Sequence, residues 1–368
     1  MRHKTIRVGF CTDLTGPYRN VDGLGGAEAI RMAIADVEGE AAGSRVELLL
    51  GDHHNDSEQA KKIAFDWYTQ SGVDLIISGV NSDTSLAMSC VAADLHRPLM
   101  VVGAGTSVQT RERASSSVIQ YAYNTVALAT VPGLVLTSKG DSRWFYITAD
   151  YPFGRELEAH GRVAVSTAGG TVVGAVINPH GEENFVPYIE AALESGAQVL
   201  GLANGHAALI KAMKAMELLG ATSKLKVVGL LTFIDDIYEM GQEQAKGLYL
   251  CDSWYWTRDA ESRAWAHRFF LRQQRMPSSL QAADYSAVKQ YLQTVKEIGS
   301  TDPDAVTGAL RSRVLDDMYV KSGRIREDGM MLHEMYLLKI KEASLSSHPW
   351  DCYDLIATVS GDQAFPTV

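Results

Sequence analysis

The stretch Ile6-Arg7-Val8-Gly9-Phe10-Cys11-Thr12-Asp13-Leu14-Thr15-Gly16-Pro17-Tyr18, running on past Gly23, Gly25 and Gly26 into residues 27–37, decides the fold class. A short apolar run breaks into a polar loop with glycine and proline, then takes up helical spacing, so it reads as strand, loop and helix N-terminus. The pattern recurs. Leu49-Leu50-Gly51-Asp52-His53-His54-Asn55-Asp56, Leu75-Ile76-Ile77-Ser78-Gly79 and Pro98-Leu99-Met100-Val101-Val102-Gly103-Ala104-Gly105-Thr106 each end a further strand. Apolar runs at 46–50, 75–78, 99–102, 144–148, 171–177, 199–203, 227–230, 248–251 and 335–340 suit parallel strands buried on both faces. Amphipathic stretches at 27–37, 59–69, 155–166, 206–219, 261–272 and 282–298 lie among them. This alternation implies βαβ units and an α/β fold. A strand that delivers hydroxyl, glycine and aromatic residues beside helix N–H groups is the layout of an anion or small-ligand site. Every doubly wound domain begins in this way, so the segment alone implies no catalysis.

The chain has 368 residues, enough for two cores, and a net charge of −10. That acidity argues against nucleic acid or an anionic membrane surface as partner, since both are recognised through clustered Lys and Arg. No apolar run is long enough to span a bilayer, and only Met1 to Thr5 precede the first strand, so neither direct membrane insertion nor a secretory signal is expected. Cys11, Cys90, Cys251 and Cys352 lie far apart without CxxC or Cys/His spacing and read as packing residues. His53 and His54 are neighbours on a strand end and point in opposite directions, so no metal is expected there. No cofactor is expected either. Gly103-Ala104-Gly105 lacks the third glycine of a dinucleotide fingerprint, where Val108 stands. Neither a nucleophile with an orienting base nor a GxSxG turn is found.

The order of these segments, with Asp150-Tyr151-Pro152-Phe153-Gly154 and the tail Pro349-Trp350-Asp351-Cys352-Tyr353-Asp354, resembles the type I periplasmic binding proteins. The branch resembled is the leucine/isoleucine/valine-binding receptors of ABC importers, over nearly the whole chain. The resemblance implies two doubly wound parallel-sheet lobes joined by a hinge of three crossovers, near Asn124-Thr125, Asp252-Ser253-Trp254 and Ser322-Gly323. Lobe 1 is then 1–123 plus 254–322, lobe 2 is 124–253 plus 323–368, and a ligand cleft lies between them. Several short crossovers make a hinge with few directions of bending, which suits closure on a ligand. The absence of any Pro-, Gly- or Ser-rich linker agrees with this. The resemblance also implies a substrate-binding protein that hands a small solute to the membrane subunits of an ABC permease, without catalysis. Export to the periplasm follows, with Met1 standing in place of a removed leader; a cytoplasmic sensor of the same fold is the alternative, and a nicotinamide-dependent enzyme a more distant one. A monomer is expected. Relatives that carry a disulfide in the first lobe have it at places matched here by Asn55 and the neighbourhood of Ser82, so that bond is absent.

Asn81-Ser82-Asp83-Thr84-Ser85 sits where a helix over 86–95 needs an N-cap, and Ser82 or Asp83 fits that role. The helix start with its hydroxyl also suits a carboxylate, and the resemblance assigns this segment, with the backbone of Ala104 and the hydroxyl of Thr106, to the ligand's carboxylate. Asp83 would repel that charge and is expected to turn away or cap. Tyr18, Tyr151 and Phe153 lie in polar loops at strand ends, and the resemblance makes them the aromatic cover of the ligand. Asn204 and His206 end another strand; the imidazole either donates to a ligand or caps the next helix. Relatives that bind amino acids place a carboxylate for the ligand's ammonium where Leu231 or Thr232 stands here. Asp235 and Asp236 come a few residues late and read as the start of the next helix. Trp254, in Asp252-Ser253-Trp254-Tyr255-Trp256, is expected to line the cleft or wedge the hinge. An unpaired ammonium in a closed site is costly, so the expected ligand is an aromatic acid of the benzoate or hydroxycinnamate kind. A branched-chain amino acid is second, with Asp235 or Asp236 supplying the charge.

Overall fold

Ile6, Val8, Phe10 and Cys11 are fully buried, because the first strand runs through the middle of a sheet covered on both faces. The computed structural model describes residues 5–367. Met1, on which the expectation about the chain's start rests, lies outside them. In chain order the strands are β1 (Ile6–Thr12), β2 (Glu40–Ala41), β3 (Ser44–Asp52), β4 (Leu75–Ser78), β5 (Leu99–Val101), β6 (Val118–Gln120), β7 (Arg143–Ala149), β8 (Thr171–Asn178), β9 (Val199–Gly205), β10 (Lys226–Leu231), β11 (Tyr249–Asp252), β12 (Arg324–Ile325), β13 (Met331–Leu332), β14 (Met335–Ile340) and β15 (Tyr353–Val359). The helices are α1 (Gly23–Asp36), α2 (Ser57–Thr69), α3 (Ser82–Asp94), α4 (Thr125–Ser138), α5 (Pro152–Thr167), α6 (Val186–Glu194), α7 (Ala207–Leu218), α8 (Ile234–Met240), α9 (Gln242–Ala245), α10 (Ala260–Gln273), α11 (Ser279–Ile298), α12 (Pro303–Ser312) and α13 (Gly361–Ala364).

The chain divides into two units, one reaching Asn124 and joined by Trp254–His333, the other Thr125–Ser253 joined by the segment from Glu334 on. The third passage comes at His333, later than the expected Ser322-Gly323. The reason is pairing: Gln120 N–H donates to Gly329 O at 2.9 Å and His333 Nε2 to Ala122 O at 2.8 Å, which ties the β12–β13 hairpin to the end of β6.

In the first unit the strand order is β2-β3-β1-β4-β5-β6, parallel except for the β2–β3 hairpin. Side chains alternate across the sheet. Cys11, Ile76 and Val101 face a core made with Ala60, Ala64 and Tyr68 of α2 and Met88, Val91 and Ala92 of α3. On the other side the Phe10 ring lies against Gly26 of α1, and α1 packs on α11. Ser278 and Gln281 form a capping box that starts α11, with Gln281 N–H donating to Ser278 Oγ at 3.2 Å.

In the second unit the order is β15-β14-β11-β10-β9-β7-β8. The sheet is parallel-dominated, as expected, and the β11–β14 and β14–β15 pairs at one edge are antiparallel. No long helix separates β14 from β15, and without a crossover a strand returns antiparallel. α4, which the periodicity does not announce, is buried over most of its surface and packs on α5; a methyl group on Gly133 would lie 2.8 Å from Ala164 Cβ. A helix apolar on every side has no polar face to give it away. Cys11, Cys251 and Cys352 are buried free thiols, and burial, followed by the charge of Asp52, pushes Cys11 up to about 12.

In each unit the strand order reverses at one point, β1 against β4 in the first and β7 against β9 in the second. Ligands of open α/β sheets bind outside the carboxyl ends of strands at such switch points.

Candidate functional site

In the first unit the loop after β1 is built around Asp13, which is fully buried. Its carboxylate accepts Gly16 N–H at 2.7 Å, Tyr18 N–H at 3.0 Å and the Asn55 side-chain amide at 2.9 Å. A side chain on Gly16 would meet that carboxylate at 2.6 Å, so the turn needs glycine. Tyr18 is held half-buried at the strand end, its phenol pKa raised by burial and then by Asp13.

The cap of α3 is Asn81 rather than Ser82 or Asp83. Asn81 Oδ1 accepts Asp83 N–H at 2.9 Å and Thr84 N–H at 3.2 Å. It sits at φ 92°, an unusual conformation for a residue with a side chain. Its amide also donates to Asn55 Oδ1 at 3.3 Å, a hydrogen bond at the place that the resemblance assigns to other members' disulfide. Asp83 is exposed. Since Asn81 does the capping, Ser82 is left over: among the described residues its N–H and hydroxyl have no hydrogen-bond partner, and neither has the Ala104 N–H.

Ala104 and Thr106 follow β5, the strand beside β4. Val102 N–H and Gly103 N–H both donate to Ser78 O, at 2.9 and 3.2 Å. Gln120, buried at the end of β6, donates to the carbonyls of Ala104 and Thr106, both at 3.1 Å, and Tyr123 OH donates to Gly103 O at 2.8 Å. Thr106 is buried and its Oγ1 accepts Val108 N–H at 3.3 Å, capping the short turn Ser107–Thr110. Asp13, Asn81, Gln120 and Tyr123 are the supporting residues that sequence reading missed. Asp13 left a signal, as an acid three residues before a loop glycine, and so did Asn81, as a favoured capping residue just ahead of a helix.

In the second unit Tyr151 occupies the N-cap of α5 and stacks on Phe153, with ring centroids 6.4 Å apart and planes 9° apart. Asp150 pairs with Arg155 at 2.5 Å beside them. Asn204 is 1 % exposed, and neither its amide oxygen nor its nitrogen has a partner among the described residues. Buried amides are rarely left so. His206 stands at the N-cap of α7 with φ 49° but its side chain caps nothing. Its Nδ1 instead lies 2.8 Å from Asp236 Oδ1, and its ring stacks 6.1 Å from Phe233. Burial opposes a charge on His206, yet Asp236, then Asp235 and Glu239, outweigh it and raise its pKa above the usual histidine value. Asp236 also accepts Phe233 N–H at 2.8 Å, so the capping of α8 and the imidazole take both its oxygens. Asp235, in the same first turn, is buried. Thr232 is folded back on its own strand: a methyl group on Gly229 would lie 2.2 Å from its Oγ1. Titrating the His206 ring by NMR is expected to give a midpoint above that of a free histidine, about 6.5, and Asp236→Asn to lower it.

Trp254 lies just beyond the end of β11 but is not exposed there. It is 1 % exposed in the core of the first unit, its indole N–H shared between Ser262 Oγ and Met318 O, both at 3.0 Å. His53 and His54 do diverge, one buried and the other exposed on Asp52.

A family model described as periplasmic binding protein matches residues 5–345. This chain belongs to the periplasmic binding protein family. A periplasmic binding protein from Burkholderia mallei is 44 % identical with a TM-score of 0.92, over 99 % of this chain and 96 % of that one. A branched chain amino acid ABC transporter periplasmic ligand-binding protein from Burkholderia xenovorans is 32 % identical with a TM-score of 0.95, over 99 % and 97 %. A solute binding protein of an ABC transporter from Rhodopseudomonas palustris, solved in complex with p-hydroxybenzoic acid, shares the fold at 19 % identity and a TM-score of 0.86, over 97 % and 98 %. Curated relatives named Leu/Ile/Val-binding protein homolog 6, from Brucella species, are 24 % identical over 194 residues, 52 % of this chain. The match spans about half of their own length, 49 %. The family and these relatives are binding proteins rather than enzymes, which sets aside the nicotinamide-dependent alternative. Among the described residues no helix is long and apolar enough to cross a membrane.

Proposed function

We propose that this chain is the substrate-binding protein of an ABC importer, working in the periplasm and delivering a small carboxylate-bearing solute to the permease's membrane subunits. The solute is bound by strand-end loops and released unchanged, and no bond is made or broken. The observation that carries this reading is the set of unengaged donors at the start of α3 and after β5: the Ser82 N–H and hydroxyl and the Ala104 N–H. Helix N-terminal N–H groups and a hydroxyl are suited to a carboxylate. A family of solute-binding proteins supplies the context.

The favoured solute is an aromatic acid. Tyr151 and Phe153 offer parallel half-buried rings, Tyr18 a third, and flat apolar bodies gain from stacking or edge contact with such rings. Asp236 is committed to Phe233 and His206, which leaves it poorly suited to a ligand ammonium. The Rhodopseudomonas palustris neighbour solved with p-hydroxybenzoic acid agrees with this choice. A branched-chain amino acid is the second reading, favoured by buried Asp235 and by the name of the Burkholderia xenovorans relative. Asn204 then supplies, in either case, a buried amide for a polar group of the solute.

Titration calorimetry with 4-hydroxybenzoate and with leucine decides between them. Tight leucine binding that disappears in Asp235→Asn would overturn the aromatic acid. A hydrogen bond to a charged group contributes about 1.5–3 kcal/mol, so Ser82→Ala or Thr106→Ala is expected to weaken the bound acid by about 10- to 100-fold. Unchanged affinity in both variants would move the carboxylate elsewhere.

A further inference from the structure

Asp22, at the N-cap of α1, and Asp284, on α11, are wholly enclosed within the first unit. Their carboxyl groups meet over Gly26: a methyl group there would lie 2.6 Å from Asp22 Oδ1 and 2.5 Å from Asp284 Oδ2. Among the described residues these two oxygens, and Asp284 Oδ1, receive no N–H or O–H from any other group. Asp13, in the β1–α1 loop, also acts on Asp22, and its charge is of the same sign. The remaining neighbours are neutral: Phe10 and Thr12 of β1, Gly26 of α1, Gln281 of α11 and the Val80 backbone. Two buried carboxylates facing each other with no cation repel strongly, whereas one proton between them turns the repulsion into a hydrogen bond. Burial, and then the charge of the partner, raises Asp284 well above the ordinary carboxyl range, and burial raises Asp22 as well.

The other oxygen of Asp22 reaches the ligand loop. Asp22 Oδ2 accepts Thr12 Oγ1–H at 2.7 Å and Val80 N–H at 3.1 Å. The Val80 carbonyl is held from the opposite side by His53. His53 Nδ1 accepts Asn55 N–H at 3.1 Å, so the ring hydrogen is on Nε2, which donates to Val80 O at 3.1 Å. Burial keeps that ring neutral by lowering its pKa. Val80 is thus gripped at both its N–H and its C=O immediately before Asn81, with its positive φ, and Ser82, with its unengaged donors. No side chain fits at Gly79, where a methyl group would meet Thr12 Oγ1 at 2.0 Å and Asp22 Oδ2 at 2.2 Å.

We propose that Asp22 and Asp284 share a single proton, and that this acid pair is a positioning device which holds the Val80 peptide and, through it, the Ser82 donors. The positioning of Ser82 rests on the reading of that residue as part of the carboxylate site; the shared proton does not. The sign of the pH dependence follows. An unfolded aspartate titrates near about 3.9, and the folded pair keeps its proton to higher pH. The pair's contribution to stability is therefore full below about pH 4 and is lost as pH rises through the folded value. Asp284→Asn replaces the protonated acid by an amide that donates in the same direction and cannot ionise. Across that window the folding equilibrium constant of the wild type should fall relative to the variant by about tenfold per pH unit.

The decisive measurement is infrared spectroscopy of the full-length wild type with ¹³C-carboxyl aspartate, in which a protonated carboxylic acid band should persist at neutral pH and be missing from Asp284→Asn. The Val80 amide proton shift should titrate together with that band in the wild type and stay constant in the variant. Absence of the band at neutral pH, or an unchanged pH slope in Asp284→Asn, would overturn the shared proton. A Val80 shift indifferent to the band would overturn the positioning role. Should Asp284→Asn fail to fold, the wild-type band and the Val80 titration decide alone. If neither 4-hydroxybenzoate nor leucine binds while band and shift behave as expected, the carboxylate-site reading fails and the acid pair's hold on Val80 stands.

Discussion

Trp254→Ala is expected to lower the free energy of unfolding by about 3–5 kcal/mol, the usual cost of emptying a large aromatic site in a packed core. Trp254 meets Trp265 edge to face, with ring centroids 5.8 Å apart and planes at 85°. Trp265 in turn packs on Phe269 and Tyr285, at 5.6 and 5.2 Å. Truncation would remove the ring that closes this cluster. Trp254→Phe should lose far less, about 1 kcal/mol, because Met318 O also receives Ser262 Oγ–H at 3.1 Å and Arg258 Nη2–H at 2.7 Å. Denaturant titration measures both. A stability change below about 1 kcal/mol in Trp254→Ala, with a large loss of 4-hydroxybenzoate affinity, would return Trp254 to the ligand.

Gly103→Ala should both destabilise the first unit and displace the proposed carboxylate site. An added Cβ would stand 2.3 Å from Val80 N, 2.5 Å from Gly79 C and 2.9 Å from Val80 Cα. These are backbone atoms, which cannot swing aside as a side-chain tip can. The loops after β4 and β5 would have to separate, breaking the bonds from Val102 and Gly103 N–H to Ser78 O. Overpacking of this kind costs about 1–3 kcal/mol and sometimes more, and the backbone obstruction puts Gly103→Ala at the upper end. Gly308→Ala is a control of opposite sign. Gly308 is exposed inside α12, nothing lies within 4 Å of its added Cβ, and Ala in a helix interior is favoured over Gly by about 1 kcal/mol. A neutral Gly103→Ala would show that the two loops are not in contact in solution.

Much of the architecture was legible in the chain because burial on both faces leaves a local mark. β4 at Leu75–Ser78 and β14 at Met335–Ile340 coincide with their apolar runs, and α2 and α5 begin within a few residues of their amphipathic stretches. Two of the elements that escaped, α4 and β15, lack such a mark. α4 is apolar on all sides, and β15, with Asp354, Leu355 and Ile356 half or fully exposed, is an edge strand without a continuous buried run. The α/β class and the strand-end residues Tyr18, Ser82, Ala104, Thr106, Tyr151, Asn204 and His206 follow from short-range order, since a parallel strand, its loop and the next helix are contiguous in sequence.

The roles of those residues depend on partners far along the chain. Asn81 could be told from Ser82 and Asp83 as the cap only once its amide was seen turned toward Asn55 and its Oδ1 toward the first turn of α3. Trp254 could be told from a ligand platform only once Ser262 and Met318 were found around its N–H. Asp22 and Asp284 carry no local signal at all, being brought together across Gly26 only by the packing of α1 on α11. The sequence by itself determined where the strands end and which side chains stand there, because backbone connectivity and hydrophobic period act between near neighbours. Only the tertiary structure decided which of those side chains are spent on the fold and which remain available, because hydrogen bonds and shared protons are settled by contacts between distant segments.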